Sequence, residues 1–511
     1  TVALDYCKAN DKVFFCTCGV GFDAWVSMKF AEDKAVDKEQ LNAIFKDIVK
    51  YSPSKLCGML GNALIVPVYT HLLLPEQYGL YSLSIAFLSF LCIIFSDWVG
   101  LSGLRFFRSF QLADELPKYL SMLVTILVFN ICTMFVFAFL FRHNFYDFFN
   151  IQPKYFFCIL LLIIPVAIRA LLFQLLRAQL KSISFTFSTI INQILTMGLS
   201  VLIIKFFNLG ALSLLLGMGI SITLIDILLI YQSGILKYFR KPNLQWKVLL
   251  PMFQYGIPIA ATSLSAWVIN QSNKFIMNSI SGFKEVGLVG VAYGLTLPLF
   301  MTIFSIITVA AVPRIFNMFE EKADVRPIIT RFTGYFLMVS LPMIVLVSIY
   351  SPQFVDMLAN TKFHEAYRLI PYFAFGCFFM ALSDYTTLQY HLANKTYIDF
   401  ILKLISGIVG IVANIVLIPK MGLEGAGIAT LSANFIYFFL SSVIRIPTLE
   451  LYCPVRTILR MGVSFIPFVV LYYGFKQTPY IPALAQMLIL MGVFYASYWL
   501  VSRTILKRPV A

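Results

Sequence analysis

The side chains best suited to chemistry in this chain are cations and amides set inside long apolar stretches. Arg169 lies in the middle of one stretch, and its planar guanidinium suits bidentate binding of a phosphate. Two uses fit it: lining a cavity that takes an anion, or pairing with Asp226 or a backbone carbonyl of a neighbouring helix. Lys274 follows Asn270, Gln271 and Asn273, amides that can hold sugar-like hydroxyls beside an ammonium that holds an anion. The plainer alternative is a lysine reaching headgroups at the outer interface. Asp399 and Lys403 stand at the i,i+4 spacing that lets such a pair neutralise itself. Asp384, with Gln389 and His391 beyond it, is placed for coupling to an ion or a proton, unless Ser383 or Tyr385 simply satisfies it. Asp226, Asp399 and Lys403 are candidates for the same coupling. Arg105 and Arg108 lie just past an apolar stretch, where they either capture an anionic headgroup or set orientation in a bilayer.

This is chemistry of binding and moving charge rather than of making bonds. The four histidines, at 71, 143, 364 and 391, form no pair on one helical face, and no phosphate-cradling Gly-Lys-Ser/Thr loop occurs. Cys16 and Cys18 make an isolated C-x-C without a second pair at metal-ligand spacing. Neither catalysis, ATP hydrolysis, a metal nor a bound cofactor is expected.

The elements that must position these groups are membrane helices. Only 12% of the 511 residues are charged and 60% are hydrophobic, whereas soluble domains carry roughly 25% charged residues. From position 51 onward fourteen apolar stretches are long enough to cross a bilayer. They run at about 51–72, 78–100, 118–141, 155–177, 184–206, 211–233, 250–275, 286–312, 329–351, 366–390, 397–418, 424–446, 458–475 and 483–503. The net charge of +15 does not point to nucleic acid, because Lys and Arg gather in the short segments between spans. Loops after even-numbered spans hold 20 of them and loops after odd-numbered spans 9, which places the even loops and both termini in the cytoplasm.

The two halves echo each other. Tyr78-Gly79-Leu80-Tyr81 recurs as Val286-Gly287-Leu288-Val289 at an offset of 208, and Tyr51-Ser52-Pro53 as Tyr255-Gly256-Ile257-Pro258. The reading is an all-α integral membrane fold of two pseudo-symmetric six-helix bundles, residues 46–235 and 248–446, with two further helices over 457–505. Six spans per repeat relate the bundles by an axis along the membrane normal.

With that pattern in place the chain resembles the polysaccharide transport branch of the multidrug/oligosaccharidyl-lipid/polysaccharide (MOP) exporter superfamily, the Wzx-type O-antigen and capsule flippases, over about residues 41–505. The resemblance rests on Lys46-Asp47-Ile48-Val49-Lys50-Tyr51-Ser52-Pro53-Ser54-Lys55 and on the segment from Pro67 to Tyr81, where Pro75-Glu76-Gln77-Tyr78-Gly79 follows the family pattern and His71 takes its usual basic position. Asn273-Lys274-Phe275 stands where the family has an Asp-Arg-Phe-like triplet, keeping the cation and losing the anion. The resemblance implies a MATE-like fold in a bacterial or archaeal cytoplasmic membrane. It also implies alternating-access translocation of an undecaprenyl-pyrophosphate-linked oligosaccharide, with membrane lipids and polysaccharide polymerase machinery as partners. Energy would come from an H+ or Na+ gradient or the membrane potential. A multidrug or cation antiporter of the same superfamily and a membrane polysaccharide polymerase or ligase are the competing readings.

Residues 1–45 read as a separate non-membrane stub. Asn10 to Phe15 followed by Gly19-Val20-Gly21-Phe22-Asp23-Ala24 resembles the interior of a diacylglycerol-kinase-type catalytic domain. The Gly-Gly-Asp-Gly-Thr motif of that family is absent, so the resemblance implies a detached fragment, from a fusion or a misjoin near residues 34–41, and no kinase activity.

Overall fold

In a computed structural model the protein is described over residues 7–9, 12–14, 61, 64–149, 151–179, 181–233, 246–320, 324–393, 395–446, 455–477 and 482–504. Near the N-terminus β1 (Cys7–Ala9) pairs antiparallel with β2 (Lys12–Phe14). The rest of the expected stub, including most of its strand-like run and the proposed junction, lies outside the described residues.

Every other element among the described residues is helical. The elements are α1 (Pro75–Cys92), a π-helical turn (Ile93–Asp97), α2 (Trp98–Leu112), α3 (Leu116–Leu140), α4 (Arg142–Phe149), α5 (Pro153–Ala178), α6 (Ser182–Phe207), α7 (Ala211–Ser233), α8 (Trp246–Ser281) and α9 (Phe283–Glu320). There follow α10 (Arg326–Ile349), α11 (Ser351–Leu358), a 3-10 helix (Thr361–Arg368), α12 (Ile370–Leu392), α13 (Thr396–Met421), α14 (Leu423–Val443), α15 (Val455–Gln477) and α16 (Ala483–Thr504). Prolines mark where several begin: α1, α3, α5, α10, α11 and α12 each carry Pro in the first turn, where the missing N–H has no intrahelical partner to lose. Positive φ at Asn208, Gly210 and Gly422 turns the chain between α6 and α7 and between α13 and α14.

Twelve helices among the described residues are long and apolar enough to cross a membrane, and a bent pair makes thirteen. These thirteen answer one for one to the second through fourteenth expected spans. The first falls largely outside the described residues, although residues 64–72 are helical. The tenth span departs from the simple rod expected for it, since the 3-10 helix meets α12 at 55°. Pro371, in the first turn of α12, gives the helix a fresh start there.

The helices are apolar outward. On α13, Ile401, Leu404, Ile405, Ile408, Val412 and Ile415 are exposed, while Asp399, Ser406, Gly407, Gly410 and Asn414 are buried. That stripe is the inverse of a soluble amphipathic helix and suits lipid outside and polar interhelical contact inside. The two halves meet at three depths. At the face where α1 and α9 begin, Tyr78 packs edge-on against Phe363 at 5.6 Å, and the Asn360 backbone N–H donates to Thr70 Oγ1 at 3.2 Å. Midway, Trp267 Nε1 of α8 donates to the Ala86 carbonyl and to Ser89 Oγ of α1, each at 3.0 Å. Toward the other face Trp98 stacks on Phe253 at 5.0 Å and Ser102 Oγ donates to the Met252 carbonyl. This is a closed conformation. Trp267→Phe removes this shared N–H donation to Ala86 and Ser89 and should cost about 1 kcal/mol, read as a small fall in the thermal midpoint of the purified protein.

Candidate functional site

The residues singled out in the sequence come to rest in four separate places, three of them buried. In the N-terminal half Arg169 of α5 faces Asp226 of α7, with Nε 3.6 Å from Oδ1 and side chains 12% and 6% exposed. Of the two uses open to Arg169, ion pairing is the one the geometry displays. The pair is loose: Arg169 Nε and Nη2 and both oxygens of Asp226 meet no hydrogen-bond partner among the described residues. Buried groups with so much bonding capacity unspent are uncommon in protein interiors.

In the C-terminal half Lys274 of α8 is only 8% exposed, packed inside the protein rather than extended from its surface. Its ammonium lies 5.7 Å from the centre of the Tyr293 ring on α9, and among the described residues no carboxylate stands within ion-pair distance. The neighbouring amides are arranged by α12 and α14. Asn273 Nδ2 donates to Thr430 Oγ1 at 3.0 Å, while Asn270 Nδ2 donates to the Ala266 carbonyl and lies 3.7 Å from Met380 Sδ. Gln271 Oε1 and Asn273 Oδ1 are buried with no partner among the described residues. The outcome is a cation, an aromatic face and unspent amide oxygens in one buried neighbourhood.

Nearer the opposite end of the same half, Asp399 is 3% exposed and central to a network. Lys403 Nζ donates to its Oδ2 at 2.8 Å, Tyr437 OH donates to its Oδ1 at 2.6 Å, and His391 Nε2 lies 3.8 Å from Oδ2. The i,i+4 pair read in the sequence is present. Asp384 lies on α12, the helix before the one that carries this pair. Neither neighbour proposed for it satisfies its carboxylate: Ser383 Oγ donates to the Phe379 carbonyl, and the Tyr385 hydroxyl meets no partner among the described residues.

Arg105 and Arg108 part company at the end of α2. The Arg105 guanidinium lies 5.9 Å from the Tyr255 ring centre, whereas Arg108 is exposed and donates to Gln111 Oε1 at 2.7 Å. Arg169 and Lys274 make no contact with one another among the described residues. Outside the spans, Arg326 donates from Nε and Nη2 to Asp324 at 2.7 and 2.9 Å and holds that carboxyl below its usual range. No group of three or more potential metal ligands occurs among the described residues.

Sequence reasoning missed Tyr437, Thr430 and Tyr293. Each lies on a helix other than the group it serves, and only tertiary packing joins them. It also missed the π-helical turn at Ile93–Asp97, which no proline announces; Asn130 Nδ2 of α3 donates to the Phe95 carbonyl there at 3.1 Å.

Comparison with known proteins agrees with this architecture. No curated protein matches the chain in sequence. The fold is similar to that of the lipid II flippase MurJ in an inward closed conformation, with TM-score 0.67, 14% identity, and 90% of this chain and 97% of that one covered. It is also similar to an inward-facing multidrug resistance MATE family transporter of the MOP superfamily, with TM-score 0.64, 11% identity, and 76% and 92% covered. These neighbours are transporters, and the resemblance of residues 1–40 to a diacylglycerol-kinase-type domain is not borne out. The sequence profile described as "Polysaccharide biosynthesis protein" matches residues 68–368, more than half of this multi-pass membrane protein, and the chain belongs to that family.

Proposed function

We propose that the protein is a flippase that carries a polyprenyl-pyrophosphate-linked oligosaccharide across a bacterial or archaeal cytoplasmic membrane for surface polysaccharide assembly, O-antigen or capsule. The observation that carries this reading is Lys274. An ammonium held at membrane depth without a carboxylate costs several kcal/mol, a cost offset when an anion docks beside it. The pyrophosphate is such an anion, and the unspent oxygens of Gln271 and Asn273, with Asn270 alongside, suit the hydroxyls of the attached sugars.

In this reading the halves, residues 46–235 and 248–446, rock about their shared interface, and the lipid tail stays in the bilayer while the head passes between polar groups. Arg169 offers its unspent donors to phosphate oxygens once the halves part. Arg105 and Arg108 meet the headgroup at the cytoplasmic mouth. Asp384, Asp226 and the Asp399–Lys403 pair supply coupling to an H+ or Na+ gradient or to the membrane potential. No bond is made or broken, and no cofactor is required. The loops rich in Lys and Arg face the cytoplasm, together with both termini, and polymerase machinery receives the product on the other side.

The test is reconstitution in vesicles with a fluorescent prenyl-pyrophosphate glycan. Lys274→Ala should slow translocation by about ten- to a hundred-fold, as expected for one charge-assisted contact of about 1.5–3 kcal/mol, and Lys274→Arg should restore part of the rate. Unchanged rates in Lys274→Ala and Arg169→Ala would remove this site. A parent protein that moves cationic drugs and not the glycan would replace the flippase with an antiporter.

A further inference from the structure

Away from the three buried clusters, a cleft of about 590 Å³ opens at the face where α12 and α14 begin. Its walls include Ser351, Tyr367, Arg368, Tyr372 and Glu424. By the alternation of the spans, this is the face of the loops poor in Lys and Arg. We infer that the cleft is a binding site for a neutral oligosaccharide, one that receives the sugar chain as it leaves the membrane; this second role rests on the flippase reading, whereas the binding itself does not.

Three features support the chemistry. The volume lies within the range of small-molecule sites, and Pro371 is the one aliphatic residue among walls that otherwise carry aromatic, hydroxyl and charged side chains. Tyrosine rings offer flat faces to the C–H surfaces of a pyranose, and a carboxylate and a guanidinium each bond to adjacent hydroxyls in a fixed geometry. The charge balance disfavours an anion: Arg368 is already paired with Glu365 at 2.9 Å, and Glu424 adds a second carboxylate. A lipid phosphate or an acidic sugar would meet repulsion there.

The walls are also preset. Tyr367 lies against the His364 ring at 5.0 Å, and His364 is held by Asp356 of α11 at 2.6 Å. Tyr372 rests on the bare backbone of Gly427, where an added Cβ would stand 2.8 Å from its ring. Gly427 lies one turn beyond Glu424 on α14, so Tyr372 of α12 packs against the same helix that carries the carboxylate. A site whose side chains are fixed before the ligand arrives loses less entropy on binding.

The experiment titrates the full chain in lipid nanodiscs with maltotetraose, chitotetraose and tetragalacturonate, read by saturation-transfer NMR, alongside translocation of the lipid-linked glycan by the same preparation. At least one neutral tetrasaccharide should bind saturably, and Arg368→Ala and Glu424→Gln should each weaken it about ten-fold. Should either variant unfold, the parent alone decides: the bound neutral sugar should protect Tyr367 and Tyr372 from hydroxyl radicals, and unprotected rings would overturn the site. Binding of tetragalacturonate alone, or of none of the three, overturns the proposal. A parent that translocates without binding free sugar overturns the cleft and keeps the flippase. A parent that binds without translocating keeps the cleft and overturns the flippase.

Discussion

Replacing Asp399 with alanine lowers the stability of the protein by about 3–5 kcal/mol, the range for breaking a buried ion pair by removing one partner. The expectation follows from what is left behind. Asp399 of α13 accepts from Lys403 one turn on and from Tyr437 of α14, with His391 of α12 close by. Without the carboxylate the Lys403 ammonium, its side chain 18% exposed, and the Tyr437 hydroxyl, on a residue 2% exposed, both lose their partner. Lys403→Ala leaves the carboxylate with Tyr437 and costs less. Asp399→Ala/Lys403→Ala should cost clearly less than the two single changes together, because the pair disappears without stranding a charge. Thermal unfolding of the four proteins in one detergent measures the cycle, and strict additivity would show that the pair is not coupled.

That network shows what the sequence can and cannot disclose. Asp399 and Lys403 were legible because a helix fixes the distance between positions i and i+4. Tyr437 was not, since nothing in the spacing of one helix says which residue of another will face it. The same division runs through the molecule. Span positions follow from the free energy of placing apolar side chains in hydrocarbon, a local quantity summed along the chain. The 55° bend before α12 and the π-helical turn after Cys92 depend on neighbouring helices. For Arg169 the alternatives drawn from sequence were well posed, and only packing could choose between them. For Lys274 the residue type and its amide neighbours were readable, but its burial beneath Tyr293 was not.

Gly287→Leu and Gly79→Leu should each raise the free energy of the closed state by about 3 kcal/mol, the upper end of the range for overpacking, and should do so to a similar degree. The reason is a reciprocal contact. A side chain at Gly79 of α1 would run into the Phe283 carbonyl, and one at Gly287 of α9 would run into the Pro75 carbonyl. Gly79 and Gly287 are separated by 208 residues, as are Pro75 and Phe283, and this is the offset that relates Tyr78-Gly79-Leu80-Tyr81 to Val286-Gly287-Leu288-Val289 in the sequence. Equivalent residues of the two halves therefore meet each other, as they must at a pseudo-two-fold axis. The obstacle in each case is backbone, which cannot turn aside as a flexible side chain could, so the helices must separate instead. Small residues at such a crossing let two membrane helices approach to backbone contact.

A cysteine pair placed at Thr70 and Asn360, where the Asn360 backbone N–H of one half donates to the Thr70 hydroxyl of the other at 3.2 Å, in a variant lacking the native cysteines, should cross-link with a mild oxidant and stop translocation until reductant is added. Population arithmetic sets the scale: about 3 kcal/mol shifts the balance between open and closed forms by roughly two orders of magnitude. Leucine at Gly79 or at Gly287 should therefore suppress that cross-link. A cross-link that survives in Gly287→Leu, or one lost in only one of the two leucine variants, would show that the repeat does not place its axis here.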